Sequence, residues 1–221
     1  MTIGAEAEDR AQFMLLMRAK GVRDLALLRA LERAPRALFV PQRYADIAGR
    51  DIALPIGCGQ TASPPSMVAT MIAALALEPH HSVLEIGTGA GYATALIAQL
   101  AGQVLTIERC QSLALEAAAR LESFGATNVR VAWADALGET APAGPFDRIL
   151  VHALIEEPFE QFTDRLGETG ALVAARMTAR EDGGREQRLV KIARQADGWQ
   201  SEDIGPARSL APLAIGLSRG L

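Results

Sequence analysis

The sequence predicts a doubly wound α/β domain, with a mostly parallel sheet and a helical N-terminal extension. Three observations carry this expectation. From residue 81 onward, short apolar runs alternate with segments of helical periodicity, and parallel strands need such crossovers. The first run passes directly into a glycine-rich turn, Gly87-Thr88-Gly89-Ala90-Gly91, ahead of a helical segment. Acids stand at the ends of three successive strands, Glu85, Glu108 and Asp135. They fall along the carboxyl edge, where open α/β sheets bind ligands.

The chain bounds this reading. Its 221 residues suit one domain, and 49% hydrophobic residues supply a sizeable core. A formal net charge of −4 and a pI near 5.5 argue against a nucleic-acid partner, whose binders concentrate basic charge on one face. The two cysteines, Cys58 and Cys110, are far apart and lack metal-ligand spacing. They predict neither a disulfide framework nor a metal site, and they fit a reducing compartment. The acidic start lacks a secretion signal. The longest apolar run, residues 67–77, is too short for a bilayer. A cytoplasmic protein with no membrane partner is expected.

Taken in order, Phe13, Met14, Leu16 and Met17 recur at helical spacing until Gly21. Asp24 caps a second helix carrying Leu25, Leu28 and Leu31, which Pro35 ends. A loop spans residues 41–61. Ser63 before Pro64-Pro65 predicts a helix start with Ser63 as N-cap, and the helix runs to about Leu77. Residues 82–86 form the first strand and residues 92–101 a helix. Strands at 104–107 and 129–133 flank a helix at 112–124. A fourth strand at 146–151, a helix at 159–166 and a fifth strand from 171 follow. In the tail, residues 187–193 and a final strand near 213–217 complete the sheet. The expected division is therefore one domain: residues 1–80 as helical extension and substrate loop, 81–175 as cofactor-binding core, and 176–221 as tail.

The glycine turn chooses among ligands. Glycine suits a sharp turn and a ligand that approaches the backbone closely. A dinucleotide fingerprint wants a small third residue where this chain has Tyr92. That bulk, and the acid at Glu85, disfavour a phosphate cradle. S-adenosylmethionine carries a sulfonium and an amino group instead, and an acidic strand end suits that charge. Gly87, Thr88, Gly89 and Gly91 would shape its site, with Glu85 and Tyr92 flanking them. Glu108, about twenty residues on, would accept the ribose hydroxyls, and Asp135 beside Ala136 the adenine amino group. The competing view is that Glu108 and Asp135 only cap the following helices.

The same residues resemble the protein-L-isoaspartate O-methyltransferase family over about residues 10–175. The match includes Gly21-Val22-x-Asp24, Ala34-Pro35-Arg36-x-x-Phe39-Val40-Pro41, the turn motif from Val83 to Tyr92, and Pro145-Phe146-Asp147-x-Ile149-Leu150-Val151. Its most specific part is Gly59-Gln60-Thr61-Ala62-Ser63-x-Pro65, which generic methyltransferases lack. The resemblance implies a Rossmann-like fold and methylation of the free α-carboxylate of isoaspartyl residues in damaged proteins. The resulting ester collapses to a succinimide. It places Ser63 at the reaction centre with Thr61 beside it, and Glu108 and Asp135 at ribose and adenine. A carboxylate is already ionised at neutral pH, so the absence of a general base is no objection.

Departures gather on the substrate side: Ala62 for Ile, Asp135-Ala136 for Asp-Gly, the segment His152 to Pro158, Ala175-Arg176-Met177, and Leu210-Ala211-Pro212-Leu213. His152 follows strand four near the substrate edge, where a lone His is more often structural. His80 and His81 read as surface loop residues. Two alternatives stay open from sequence: a diverged methyltransferase with another acceptor, and a cofactor-binding module without turnover.

Overall fold

A computed structural model describes residues 3–139, 141–157, 159–195, 198–207 and 210–220. The extension forms α1 (Ile3–Ala19) and α2 (Leu25–Arg33), then two 3-10 turns at Arg36–Leu38 and Gln42–Ile47. Asp24 caps α2 as expected, accepting from the Leu27 N–H at 2.8 Å. A small antiparallel ladder of β1 (Leu54–Pro55) and β2 (Thr61–Ala62) leads into α3 (Pro65–Leu75). The alternating half gives β3 (Ser82–Ile86), α4 (Tyr92–Ala98), β4 (Gln103–Glu108), α5 (Gln111–Phe124), β5 (Val129–Trp133) and β6 (Phe146–Leu154). Then come α6 (Glu160–Thr163), β7 (Leu166–Ala179), β8 (Arg185–Gln195) and β9 (Gly198–Pro206).

The main sheet has the order β5-β4-β3-β6-β7-β8-β9. Its first five strands are parallel; β8 pairs antiparallel with β7, and β9 antiparallel with β8. The reversal of order beside β3 opens a crevice at the carboxyl edge. Alternation along β3 supplies both faces of the sheet. Val83 joins Leu31, Phe39, Met71 and Leu96 in one core, whereas Leu84 and Ile86 join Ile149, Leu172 and Phe162 in the other. Among the described residues, no helix is long and apolar enough to cross a membrane.

Four expectations need correction. Ser63 does not cap α3: Pro64 holds the cap position and contributes no side-chain bond. Asp51 does that work from a distance, accepting from the Ser66 N–H at 2.9 Å and Ser66 Oγ at 2.7 Å, with Lys20 Nζ at 3.2 Å. The strand expected near 213–217 is not one. The last strand is β9, and residues 210–220 run as a strap over the carboxyl edge. The strap is held by Leu154 N–H to Ala211 O and Leu213 N–H to Leu154 O, both 2.9 Å, and by Ser218 N–H to Arg109 O at 2.8 Å. His81 is buried rather than exposed, because its Nδ1 accepts the Glu78 N–H at 2.9 Å. Finally, Cys58 and Cys110 are joined as a disulfide across 52 residues of sequence. Folding brings the β1–β2 loop onto the β4–α5 turn, which sequence separation conceals.

Two stability results follow. Reduction of Cys58–Cys110 should lower stability by about 2–4 kcal/mol, the usual worth of a long-loop crosslink. Calorimetric melts with and without dithiothreitol check this, and equal melting temperatures would count against the crosslink. Burial alone would raise the Asp51 carboxyl, but the Ser66 bonds and the Lys20 charge outweigh it and hold it below the usual range. The Ser82 bonds do the same for Asp147. A depressed folded-state value contributes stability above about pH 4, lost as pH falls through the folded value. Asp51→Asn should therefore cost about 1 kcal/mol, as lost caps do, and show a shallower acid loss than wild type in melts from neutral to low pH.

Candidate active site

The glycine turn follows from its backbone. Gly87, Gly89 and Gly91 all have positive φ, +94°, +54° and +91°, a region that L side chains avoid. The N–H groups of Gly87 and Thr88 donate to Ile107 O at 2.8 and 3.3 Å, and Gly91 N–H donates to Thr88 O. Gly89 N–H donates to Glu108 Oε2 at 3.0 Å. These amides are therefore spent inside the protein, and a carboxylate stands where a pyrophosphate would need donors. The turn fits a ligand without phosphate.

Around this turn lies a cleft of about 430 Å³. One wall is Gly87, Thr88, Gly89 and Tyr92. A second is Gln60 to Ser63, a third Glu108 and Arg109 with Ala134 and Ala136, and a fourth His152 with Ala153. The strap residues 210–214 roof it. The fold thus brings Thr61 and Ser63 to the same cavity as the glycine turn and Glu108.

Glu108 is 6% exposed and is fixed in place: Oε2 accepts from Gly89 and Oε1 from Cys110 N–H at 2.9 Å. A carboxylate has about four lone-pair sites, so two remain for a diol. Thr61 lies on β2, and Ser63 follows it with its carbonyl held by Arg36 Nη2 at 2.9 Å. Among the described residues, Ser63 Oγ makes no hydrogen bond.

Three expected cofactor residues do not line the cleft. Glu85 is wholly buried, its carboxylate enclosed by Thr94 Oγ1 at 2.5 Å, Thr106 Oγ1 at 2.7 Å and His152 Nε2 at 2.9 Å. It supports the floor rather than meeting a ligand's charge. Gly91 faces α5, where a Cβ would meet Leu121 and Ala117 at 3.4–3.5 Å. Its role is packing. Asp135 is engaged by Leu137 N–H at 2.9 Å and by the strap's Gly216 N–H at 2.6 Å, while its neighbours Ala134 and Ala136 form the wall.

Tyr92 packs its ring on Phe39, centroids 5.9 Å apart, and its buried hydroxyl has no hydrogen-bond partner among the described residues. Burial pushes its phenol up, with the Arg36 charge opposing.

Two functional elements escaped the sequence. Arg36 is 3% exposed and donates to the carbonyls of Ala48, Arg50, Ile52, Ala62 and Ser63 at 2.9–3.4 Å. Burial pushes its guanidinium down to about 10. One planar fork thereby fixes the loop that carries Thr61 and Ser63. Its signal was present in the Ala34-Pro35-Arg36 match. The strap is the other. Pro212, Gly216 and Gly220 interrupt it, which argued against a strand. Glu78, His80 and His81 bring ligand atoms within 4.8 Å of one another, but before β3, at the sheet end opposite the cleft.

The family model of protein-L-isoaspartate(D-aspartate) O-methyltransferase matches residues 8–209. A protein-L-isoaspartate O-methyltransferase of Azorhizobium caulinodans is 41% identical, covering 97% of this chain and 96% of that protein. One of Rhodopseudomonas palustris (strain BisA53) is 42% identical, covering 98% and 99%. A Plasmodium falciparum structure described as a putative protein-L-isoaspartate O-methyltransferase, in complex with S-adenosyl-L-homocysteine, superposes with TM-score 0.76. It has 21% identity and covers 92% of this chain and 97% of that one. At that identity the likeness shows the fold.

Proposed function

The chain belongs to the protein-L-isoaspartate(D-aspartate) O-methyltransferase family, and on that premise we propose how its cleft carries out isoaspartyl carboxyl methylation. The cofactor is S-adenosylmethionine, and the acceptors are proteins or peptides containing isoaspartyl residues. The observation that carries the proposal is the meeting of Thr61 and Ser63 with the glycine turn and Glu108 in one cleft.

When bound, S-adenosylmethionine supplies an electrophilic methyl group on a sulfonium. Gly87 and Gly89 leave room for close approach to the backbone. Glu108 keeps lone pairs for the ribose hydroxyls and repels phosphate, while Ala134 and Ala136 offer an apolar wall to the base. Ser63, with Thr61 beside it, donates a hydroxyl that orients the acceptor carboxylate. That carboxylate is ionised at neutral pH, so no residue need remove a proton. Alignment of nucleophile and methyl group supplies much of the acceleration. The strap and the Arg36-held loop keep water from the reacting pair.

Transfer of labelled methyl from S-adenosylmethionine to an isoaspartyl peptide, beside its ordinary aspartyl counterpart, tests this. Label should enter the isoaspartyl peptide alone, and equal or absent labelling would reject it. Glu108→Gln keeps acceptor oxygen and shape but not charge. It should weaken cofactor binding by about 1.5–3 kcal/mol, the worth of a hydrogen bond to a charged group. Titration calorimetry reads this, and wild-type affinity would return Glu108 to a purely structural role.

A further inference from the structure

His152 lines the cleft but takes no part in the steps above. β3 and β6 stay in register to Ile86 and Val151, and the next residue of β6 reaches back across β3. Its Nε2 lies 2.9 Å from Glu85 Oε1, and its Cβ lies 3.3 Å from where a Gly87 side chain would begin. Glu85 Oε2 already receives Thr94 and Thr106, and Thr106, committed as donor, must accept from Thr88 Oγ1 at 2.7 Å. An ionised Glu85 offers only acceptor oxygens, and in that state the ring's Nε2 donates to it. The imidazole is thus fixed by a buried network reaching from the glycine turn to α4. Its Nδ1 has no partner among the described residues, and the ring is 11% exposed on the cleft wall.

Among the cleft's described lining residues, only Arg109 and His152 can carry positive charge. Arg109 sits beside Glu108 and donates its Nε to the strap's Gly216 O at 2.9 Å. At the Gly87 end, His152 stands alone, with the Glu85 carboxyl 2.9 Å behind it. Glu108 and Arg109 are the other charged groups of the cleft; Thr94 of α4 and strap residues 210–214 are uncharged. We infer that His152, oriented by Glu85, recognises a carboxylate bound in the cleft beside Gly87. A second proton on Nδ1 makes that contact a charge-assisted hydrogen bond. Two carboxylates could occupy it: the amino-acid end of the cofactor and the α-carboxylate of the acceptor. The second source rests on the isoaspartyl reading above; the first rests only on cofactor binding.

His152→Gln keeps a donor for Glu85 and removes the titratable charge. Calorimetry gives the Kd for S-adenosylhomocysteine, and peptide assays give the KM for an isoaspartyl substrate, each from about pH 6 to 8.5. One constant should weaken at least tenfold in the variant. The same constant should weaken with rising pH in wild type and stay flat in the variant. A raised KM at constant Kd assigns the acceptor's carboxylate; a raised Kd assigns the cofactor's. Both constants unchanged would overturn the inference. Should the variant fail to fold, the wild-type profile decides, and flat Kd and KM would overturn it. A wild type that binds S-adenosylhomocysteine yet never methylates isoaspartyl peptide rejects the functional reading, and the Kd arm then judges His152 by itself.

Discussion

Gly89→Val should weaken cofactor binding at least tenfold, or about 1.4 kcal/mol. Gly89 sits at φ +54°, its N–H anchors Glu108, and it lines the cleft. A Cβ there would lie 3.4 Å from Ile56 Cδ1, an ordinary contact, so Gly89→Ala meets backbone strain and a small loss of room in the cleft. Valine adds two methyl groups in the space a ligand must occupy, at a backbone angle hostile to β-branching. The variants should therefore rank glycine, alanine, valine in falling affinity by calorimetry. Circular dichroism confirms that each is folded. A folded Gly89→Val protein with wild-type affinity would move the cofactor away from this turn.

The parallel half of the fold was legible because its signals are local. Apolar runs, helical spacing and a glycine turn lie within short windows, and five parallel strands follow from them. The cleft's Thr61, Ser63, Gly87, Gly89 and Glu108 were likewise marked by residue type and spacing. What the sequence could not show depended on contacts distant in sequence. Glu85 looks available in a strand-end motif, yet Thr94, Thr106 and His152 enclose it from three other elements. Asp135, which does not line the cleft, accepts from Gly216, 81 residues on. Ser63 was given a capping role that Asp51 performs. The cysteine pair and the strap are failures of the same kind.

Ser63→Asp should give a folded, cofactor-binding and inactive protein. Its side chain has no structural work among the described residues: Pro64 holds the cap position, and Arg36 secures the Ser63 carbonyl, not its hydroxyl. Ser63→Ala should accordingly change stability by no more than about 0.5 kcal/mol, as at sites free of special roles. A capping serine would cost about 1 kcal/mol. If the cofactor is held by the glycine turn and Glu108 as proposed, affinity for S-adenosylmethionine should stay near wild type in both variants. Turnover should not. Without the orienting hydroxyl, Ser63→Ala should lose ten- to a hundredfold in methyl transfer to an isoaspartyl peptide, the order that misplacing a reacting group costs. Aspartate adds like-charge repulsion against an anionic nucleophile in a cleft partly shielded from water, so its loss should exceed that of alanine. Thr61→Val beside it tests whether the hydroxyls share the task; the double variant should then lose more than either alone. Wild-type turnover in Ser63→Asp would remove Ser63 from the acceptor site and leave its exposure to the cleft without a role.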